Sequence, residues 1–179
     1  SAPATSDRNR EEPERILKPV QPRVLLNAPH RQLLLDQIWN NVSLRKEAYQ
    51  QLLMLPIERY AGLVQQFPAS ENHHHAHLGG LLDHTLEVIS YGLKIRQSSL
   101  LPVGASPEDQ SAPADVWTAG IAYGCMFHDL GKIIVDIDIQ LQDGSARFPW
   151  QGPLNQPYRF RYRKRRGYKL HNVVAGLLP

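Results

Sequence analysis

At 179 residues, 42% hydrophobic and 21% charged, the chain has the make-up of one ordinary globular domain and not of a disordered one. It contains no apolar run of the roughly 18 residues that a membrane span needs, no charged-then-apolar leader, and a single cysteine, Cys125, which excludes an internal disulfide framework and a cysteine-rich zinc finger and suits a reducing cytoplasm. Net charge is only +3, but seven of the 20 basic residues fall between Arg159 and Lys169, leaving 13 basic against 17 acidic residues elsewhere, so a mildly acidic body carries one cationic segment suited to polyanions.

Residues 1–22 are rich in charge and proline (Pro3, Pro13, Pro19, Pro22) and lack apolar periodicity, which predicts a flexible N-terminal arm before a domain spanning 23–179. From His30 the spacing of Leu33, Leu34, Ile38 and Val42 predicts a helix. Ser43 is the expected cap of a second helix, with Leu44, Ala48, Leu52 and Leu55 as its stripe. Pro56 is expected to start a third, facing inward at Ile57, Tyr60, Ala61 and Val64 and ending at Pro68. After a histidine-rich connection from Pro68 to Gly80, Leu82, Leu86, Ile89 and Leu93 mark a strong helix from Leu81 to about Gln97. A loop from Ser98 to Pro113 precedes a helix capped by Asp115 and carrying Trp117, Ile121, Cys125 and Leu130; it is apolar nearly all round and therefore expected to be buried.

Beyond Lys132 the period changes to two. Val135, Ile137, Ile139 and Leu141 alternate with polar residues, Asp143-Gly144 is a tight-turn pair, and Arg147 to Trp150 can pair back as a hairpin. Tyr158 to Arg163 alternates aromatic and basic residues as a strand does, and a further helix begins near Leu170. The fold class is thus mainly α, a helical bundle with a small β-hairpin or sheet inserted late in the chain. The ending, a few residues into that helix, suggests an N-terminal piece of a longer protein. Trp39, Trp117 and Trp150 are expected in the core, with Trp150 also placed to stack on a base, and Cys125 is expected to be core rather than a nucleophile.

Seven of the eight histidines lie at three points: His73, His74, His75, His77 and His84; His128 beside Asp129; and His171. Imidazole is the commonest metal-ligating side chain, and a His-plus-Asp set suits a divalent transition metal. Adjacent helical residues point about 100° apart, so His128 and Asp129 can share an ion only at a helix end or a local break, which Gly131 permits. At most one or two of His73, His74, His75 and His77 can face one ion. His30 is expected to be an ordinary surface residue. Gly79-Gly80 either admits a phosphate backbone or, the favoured reading, turns the chain into the next helix at small steric cost.

The block Gly79-Gly80-Leu81-Leu82-Asp83-His84-Thr85-Leu86-Glu87-Val88, followed 44 residues after His84 by His128-Asp129-Leu130-Gly131-Lys132, resembles the HD superfamily of metal-dependent phosphohydrolases. Pro68-Ala69-Ser70-Glu71-Asn72-His73-His74-His75 before it is similar to the three-histidine signature of MobH-type conjugative relaxases, the TraI_2 domain, over roughly Arg23 to Pro179. The resemblance implies an HD-type helical bundle and metal ligands at His84, His128 and Asp129, with His171 as a further one. It also implies a catalytic role for Asp129, and for Lys132 contact with a phosphate or neutralisation of transition-state charge. The ion is divalent (Mn, Fe, Mg, Ni or Zn), and the closing aspartate of the HD pattern is expected beyond this chain.

The segment Arg159, Arg161, Tyr162, Arg163, Lys164, Arg165, Arg166 and Lys169 combines phosphate-binding charge with stacking rings, the composition of single-stranded nucleic-acid sites; a charge-protected strand edge is the alternative. With the resemblance, this implies metal-dependent nicking of DNA at a transfer origin of a plasmid or integrative element, in the bacterial cytoplasm, with relaxosome proteins as partners and no membrane insertion. Two other readings stay open: a general HD phosphodiesterase or exonuclease, and a non-catalytic DNA- or relaxosome-binding module.

Overall fold

The computed structural model describes residues 15–98 and 114–163, a mainly α architecture with one small antiparallel sheet. Helices α1 (Pro22–Leu26) and α2 (Pro29–Asn40) both open on proline, whose missing N–H and preset φ suit the first helical position. The buried face of α2 is Arg31, Leu35 and Ile38, whereas Leu33, expected inside, is exposed. A buried arginine, paired as described below, sets the phase of this helix in place of its leucines.

Helix α3 (Lys46–Tyr49) has at its N-cap position Arg45, which makes no side-chain cap, and not Ser43. It runs through a π-helical turn, Gln50–Met54, straight into α4 (Leu55–Val64), so the expected boundary at Pro56 is absorbed into one helical path. A proline ring crowds the carbonyl four residues back and supplies no N–H to it. Here that carbonyl, on Leu52, accepts a hydrogen bond from the Tyr123 hydroxyl at 2.9 Å. Helix α4 buries Ile57, Tyr60, Ala61 and Val64 as its periodicity predicts, but ends before Pro68, at Gln65, whose φ is +44°. The buried Gln65 side chain then binds both the N–H and the carbonyl of Val20, each at 2.9 Å, fixing the last part of the segment expected to be a flexible arm.

Helix α5 (Gly80–Ser98) buries Leu82, Leu86, Ile89 and Leu93 as expected. Helix α6 (Ala114–Asp136) runs through Gly131 without the anticipated break and takes in Val135 and Asp136, where strand alternation was read. Nor is it buried all round: Ala119, Ala122, Met126, Leu130 and Ile133 face the core, while Val116, Trp117 and Phe127 are exposed. Trp39 and Trp150 are exposed as well, so none of the three tryptophans is core.

Strand β1 (Ile137–Leu141) follows α6 directly and pairs on one side with β2 (Ala146–Arg147) and on the other with β3 (Tyr158–Tyr162), both antiparallel. Gly144, at φ +87°, turns the β1–β2 hairpin. The expected strand from Arg147 to Trp150 is cut short because Pro149 opens a 3₁₀ turn over Pro149–Gln151. The sheet is bolted to the helices through Phe67, whose ring meets those of Tyr158 and Phe160 edge-on at 5.7 and 5.3 Å. Leu17 adds an isolated bridge to Tyr158 through two backbone hydrogen bonds of 2.7 and 2.9 Å. Lys164, Arg165, Arg166, Lys169, His171 and the helix expected from Leu170 lie outside the described residues.

Candidate metal site and basic strand

The histidine-rich connection is held by its own backbone. The Ala69 N–H donates to the His75 carbonyl and the Leu81 N–H to the Phe67 carbonyl. The Ser70 hydroxyl accepts from the His73 N–H and donates to the His74 carbonyl. His75 sits at φ +58°, a left-handed conformation that is uncommon for a residue with a side chain and is enriched at functional sites. That twist brings its Nε2 to 3.0 Å from Glu87 Oε2 and its ring to 5.5 Å from His84 and 5.9 Å from His77, centroid to centroid. His73 and His74 are exposed.

Below this loop, Asp83 is buried and fully subscribed. Its Oδ1 accepts from Arg31 Nε at 2.6 Å and lies 2.8 Å from His30 Nε2, while its Oδ2 lies 2.8 Å from His77 Nε2. Burial alone would raise the Asp83 pKa, but the hydrogen bonds from Arg31, His77 and His30 outweigh it and hold the carboxyl below its usual range. Arg31 also donates to the carbonyls of Leu25 and Gly79, so one guanidinium joins α1, α2 and the entry to α5. Gly79, at φ +83°, and Gly80 let that happen: a Cβ on Gly79 would strike the guanidinium, and one on Gly80 the His75 carbonyl. The pair serves a close approach of the chain to itself, in line with the turn reading. His30 is a partner of Asp83 and not the bystander its sequence position suggested.

A second buried carboxylate, Asp129, lies where α4, α5 and α6 meet. Its Oδ2 accepts from the Thr85 hydroxyl at 2.6 Å, and Thr85 in turn lies 2.6 Å from the Tyr60 hydroxyl and 2.9 Å from the Leu81 carbonyl. With the carboxylate as final acceptor, the protons run Tyr60 to Thr85 to Asp129. Burial, and then the charge of Asp129, push the Tyr60 phenol well above its ordinary pKa, which keeps it a neutral donor. The other oxygen, Oδ1, is buried without a hydrogen bond. Lys132 Nζ lies 2.8 Å from it as an ion pair whose angles do not make it an aligned hydrogen bond.

His84 is half-buried one residue before Thr85. Burial depresses its pKa, opposed by Asp129 and reinforced by Lys132 and His75, which leaves a neutral imidazole with a lone pair at pH 7. His84, His75, Asp129 and Lys132 therefore share one electrostatic neighbourhood. His128 is exposed on the continuous α6, turned about 100° from its neighbour Asp129. Among the described residues, the His/Asp group whose ligand atoms all fall within 4.8 Å of one another is His75, His77 and Asp83, a set able to hold a metal ion. Around Asp129, the neutral His84 imidazole and the carboxylate are donors of the kinds a divalent cation takes, but with Lys132 Nζ 2.8 Å from Oδ1 they do not make up such a three-ligand group among the described residues. Cys125 is half-buried, and burial pushes its thiol up, as suits a packing residue.

On β3, Tyr158, Phe160 and Tyr162 turn toward the helices, and the Tyr162 hydroxyl donates to the Pro68 carbonyl at 3.4 Å. Arg163 is drawn inward: it binds Asp138 Oδ1 at 2.8 Å and the carbonyls of Ile134 and Val135 at the end of α6. Arg161 is exposed, 3.7 Å from Asp138 Oδ2, and Arg159 is half-buried beside it on the outer face.

The TraI_2 family, whose description reads "Putative helicase", matches residues 16–178. The chain belongs to the TraI_2 family. No curated protein matches it.

Within this TraI_2 domain the structure gathers His75, His84, Asp129 and Lys132, leaves His73, His74 and His128 at the surface, and adds residues that the motif did not mark: Tyr60, Thr85, Asp83, Arg31 and His30. Thr85 adjoins His84 and lies in phase with the buried Leu81, Leu82, Leu86 and Ile89 of its helix. Arg31 and Asp83 are 52 residues apart, and only the fold pairs them.

Proposed function

We propose that this TraI_2 domain is an HD-type, metal-dependent phosphodiesterase of a MobH-type relaxase, cleaving one DNA strand at the transfer origin of a plasmid or integrative element. The observation that carries the reading is Asp129: a buried carboxylate with one oxygen anchored by Thr85 and the other held only by the Lys132 ion pair, beside a neutral His84. A family described as "Putative helicase" supports nucleic acid as the substrate. The ligands would be His84 and Asp129, with His75 and His171 as further candidates; His128, exposed on the continuous α6, would join them only if that helix opened near Gly131. A divalent ion held there supplies Lewis acidity toward a phosphoryl oxygen and lowers the pKa of a bound nucleophile.

The chain's own residues do the rest. Thr85 fixes the rotation of the Asp129 carboxylate, and Tyr60 fixes Thr85. Lys132 offsets negative charge as it builds on the phosphate. Tyr123 is committed to the Leu52 carbonyl and Tyr158 is fully buried, so both hydroxyls serve the fold. The group His75, His77 and Asp83 is a second place for an ion, with Asp83 Oδ1 held by Arg31 and His30 and Oδ2 toward His77.

The test is nicking of supercoiled origin DNA with Mn²⁺, with chelator, and with His84→Gln and His128→Ala/Asp129→Ala variants, alongside metal analysis of each protein. Cleavage should vanish with chelator and in the variants. Nicking that survives would sink the mechanism. Hydrolysis of free nucleotides but not of origin DNA would select the general phosphodiesterase, and DNA binding indifferent to chelation and without cleavage would select the binding module.

A further inference from the structure

Directly paired residues of antiparallel strands share a face of the sheet. Asp138 pairs with Arg161, and Gln140 with Arg159 and Ala146, so these form the face opposite the buried Ile137, Ile139 and Leu141. A cavity of about 350 Å³ opens on that side, its walls including Arg159, Arg161 and Arg163 against one carboxylate, Asp138, while Arg147, which pairs with Ile139, borders it from the edge strand β2. At its β2 end stand Phe148 and Trp150, with rings parallel to 7° at a centroid separation of 4.6 Å, and 38% and 59% exposed.

The pair is held in place. Arg147 donates to the carbonyls of Gln151, Gly152 and Pro153, and the Phe148 N–H donates to the Gln151 side chain at 2.8 Å. Two large rings kept parallel in solvent beside a cluster of guanidinium groups combine a flat apolar platform with anion-binding charge. The ligand that offers both complements, in alternation, is a single nucleic-acid strand, whose bases stack and whose phosphates pair with arginine. A duplex keeps its base faces against one another and meets only the charge.

We infer that the outer face of the sheet is a binding site for single-stranded DNA, in which an unpaired base extends the Phe148–Trp150 stack while Arg159 and Arg161 hold the adjoining phosphates. The choice of DNA rests on the proposed function; the platform and its charge do not.

The experiment is fluorescence anisotropy of the full chain with a labelled oligo-dT of on the order of ten nucleotides, in chelator so that no cleavage intervenes, over a series of salt concentrations. Trp150→Ala should weaken binding roughly tenfold with an unchanged salt slope, and Trp150→Phe should restore most of it. Arg159→Gln and Arg161→Gln should each reduce the slope of log affinity against log salt by about 0.7. A duplex of the same length should be indifferent to Trp150→Ala. Circular dichroism of each variant checks the fold, and because Trp150 is largely exposed, a folded variant is expected. Wild-type affinity in a folded Trp150→Ala protein overturns the site, as does an equal loss of duplex binding. If nicking is intact while Trp150 is inert, this inference falls and the proposed function stands; if Trp150 matters and no nicking occurs, the reverse holds.

Discussion

Asp129 shows how one carboxylate is divided between fold and chemistry. Its Oδ2 belongs to the hydrogen-bonded series from Tyr60 through Thr85, and its Oδ1 is held only by the Lys132 ion pair. Thr85→Val keeps the shape of the side chain and removes the hydroxyl, leaving the Tyr60 hydroxyl and Asp129 Oδ2 without their partner. The expected loss is about 1–3 kcal/mol of stability by urea titration and a roughly 10- to 100-fold weaker Mn²⁺ affinity by calorimetry, both recovered in Thr85→Ser. A Thr85→Val protein that binds Mn²⁺ as the wild type does would show that the series orients nothing. The candidate ligands His84 and Asp129 are named through the resemblance to the HD pattern, whose two short motifs are each legible in the sequence. Thr85's role is not, since its partner is 44 residues away and a hydrogen bond across two helices leaves no periodic trace.

At the scale of elements, hydrophobic period predicted α4, α5 and β1 with the right faces, because each buries an apolar stripe against a neighbour. It failed where a polar or backbone requirement set the phase. Arg31 turned α2 away from Leu33, and Pro149 shortened β2. Gly80, at the start of α5, is a position where backbone proximity decides. Gly80→Ala places a methyl group against the His75 carbonyl, and the loop cannot retreat without losing the Ala69–His75 hydrogen bond. The expected cost is about 3 kcal/mol, read as a lower urea midpoint with an unchanged slope. A neutral substitution would mean that the histidine loop is not packed down on this helix.

Across the whole molecule, the Arg31–Asp83 pair is the junction on which α1, α2, the histidine loop and α5 converge. Breaking a buried pair strands the remaining charge, so Asp83→Asn should cost about 3–5 kcal/mol. The pH dependence has a definite sign. The Asp83 carboxyl is depressed in the folded state, whereas in the unfolded chain it titrates near 3.9. Its contribution is therefore complete above about pH 5 and is lost as pH falls below that unfolded value toward the folded one. Urea midpoints measured between pH 7 and pH 3 should fall more steeply for the wild type than for Asp83→Asn, and parallel profiles would remove Asp83 from this role. The mainly α class and the late sheet were readable from composition and period. The convergence at Asp83 was not, because it joins residues from two stretches of chain, Arg31 and Asp83 lying 52 residues apart.

The π turn at Gln50–Met54 has a consequence for registration along the α3–α4 path. Such a turn closes its hydrogen bonds one residue further along than an α-helix does, so it acts as an extra position inserted into a rotation of about 100° per residue. Everything downstream is dialled by that one step. Ile57, Tyr60, Ala61 and Val64 point inward because of it, and Tyr60 is the outermost support of the Asp129 carboxylate. A single-residue deletion within 50–54 would leave each of these side chains chemically intact yet swing the whole row about a quarter-turn aside. The orientation of the candidate site is thus set by a count of residues in a stretch that contributes no side chain to it.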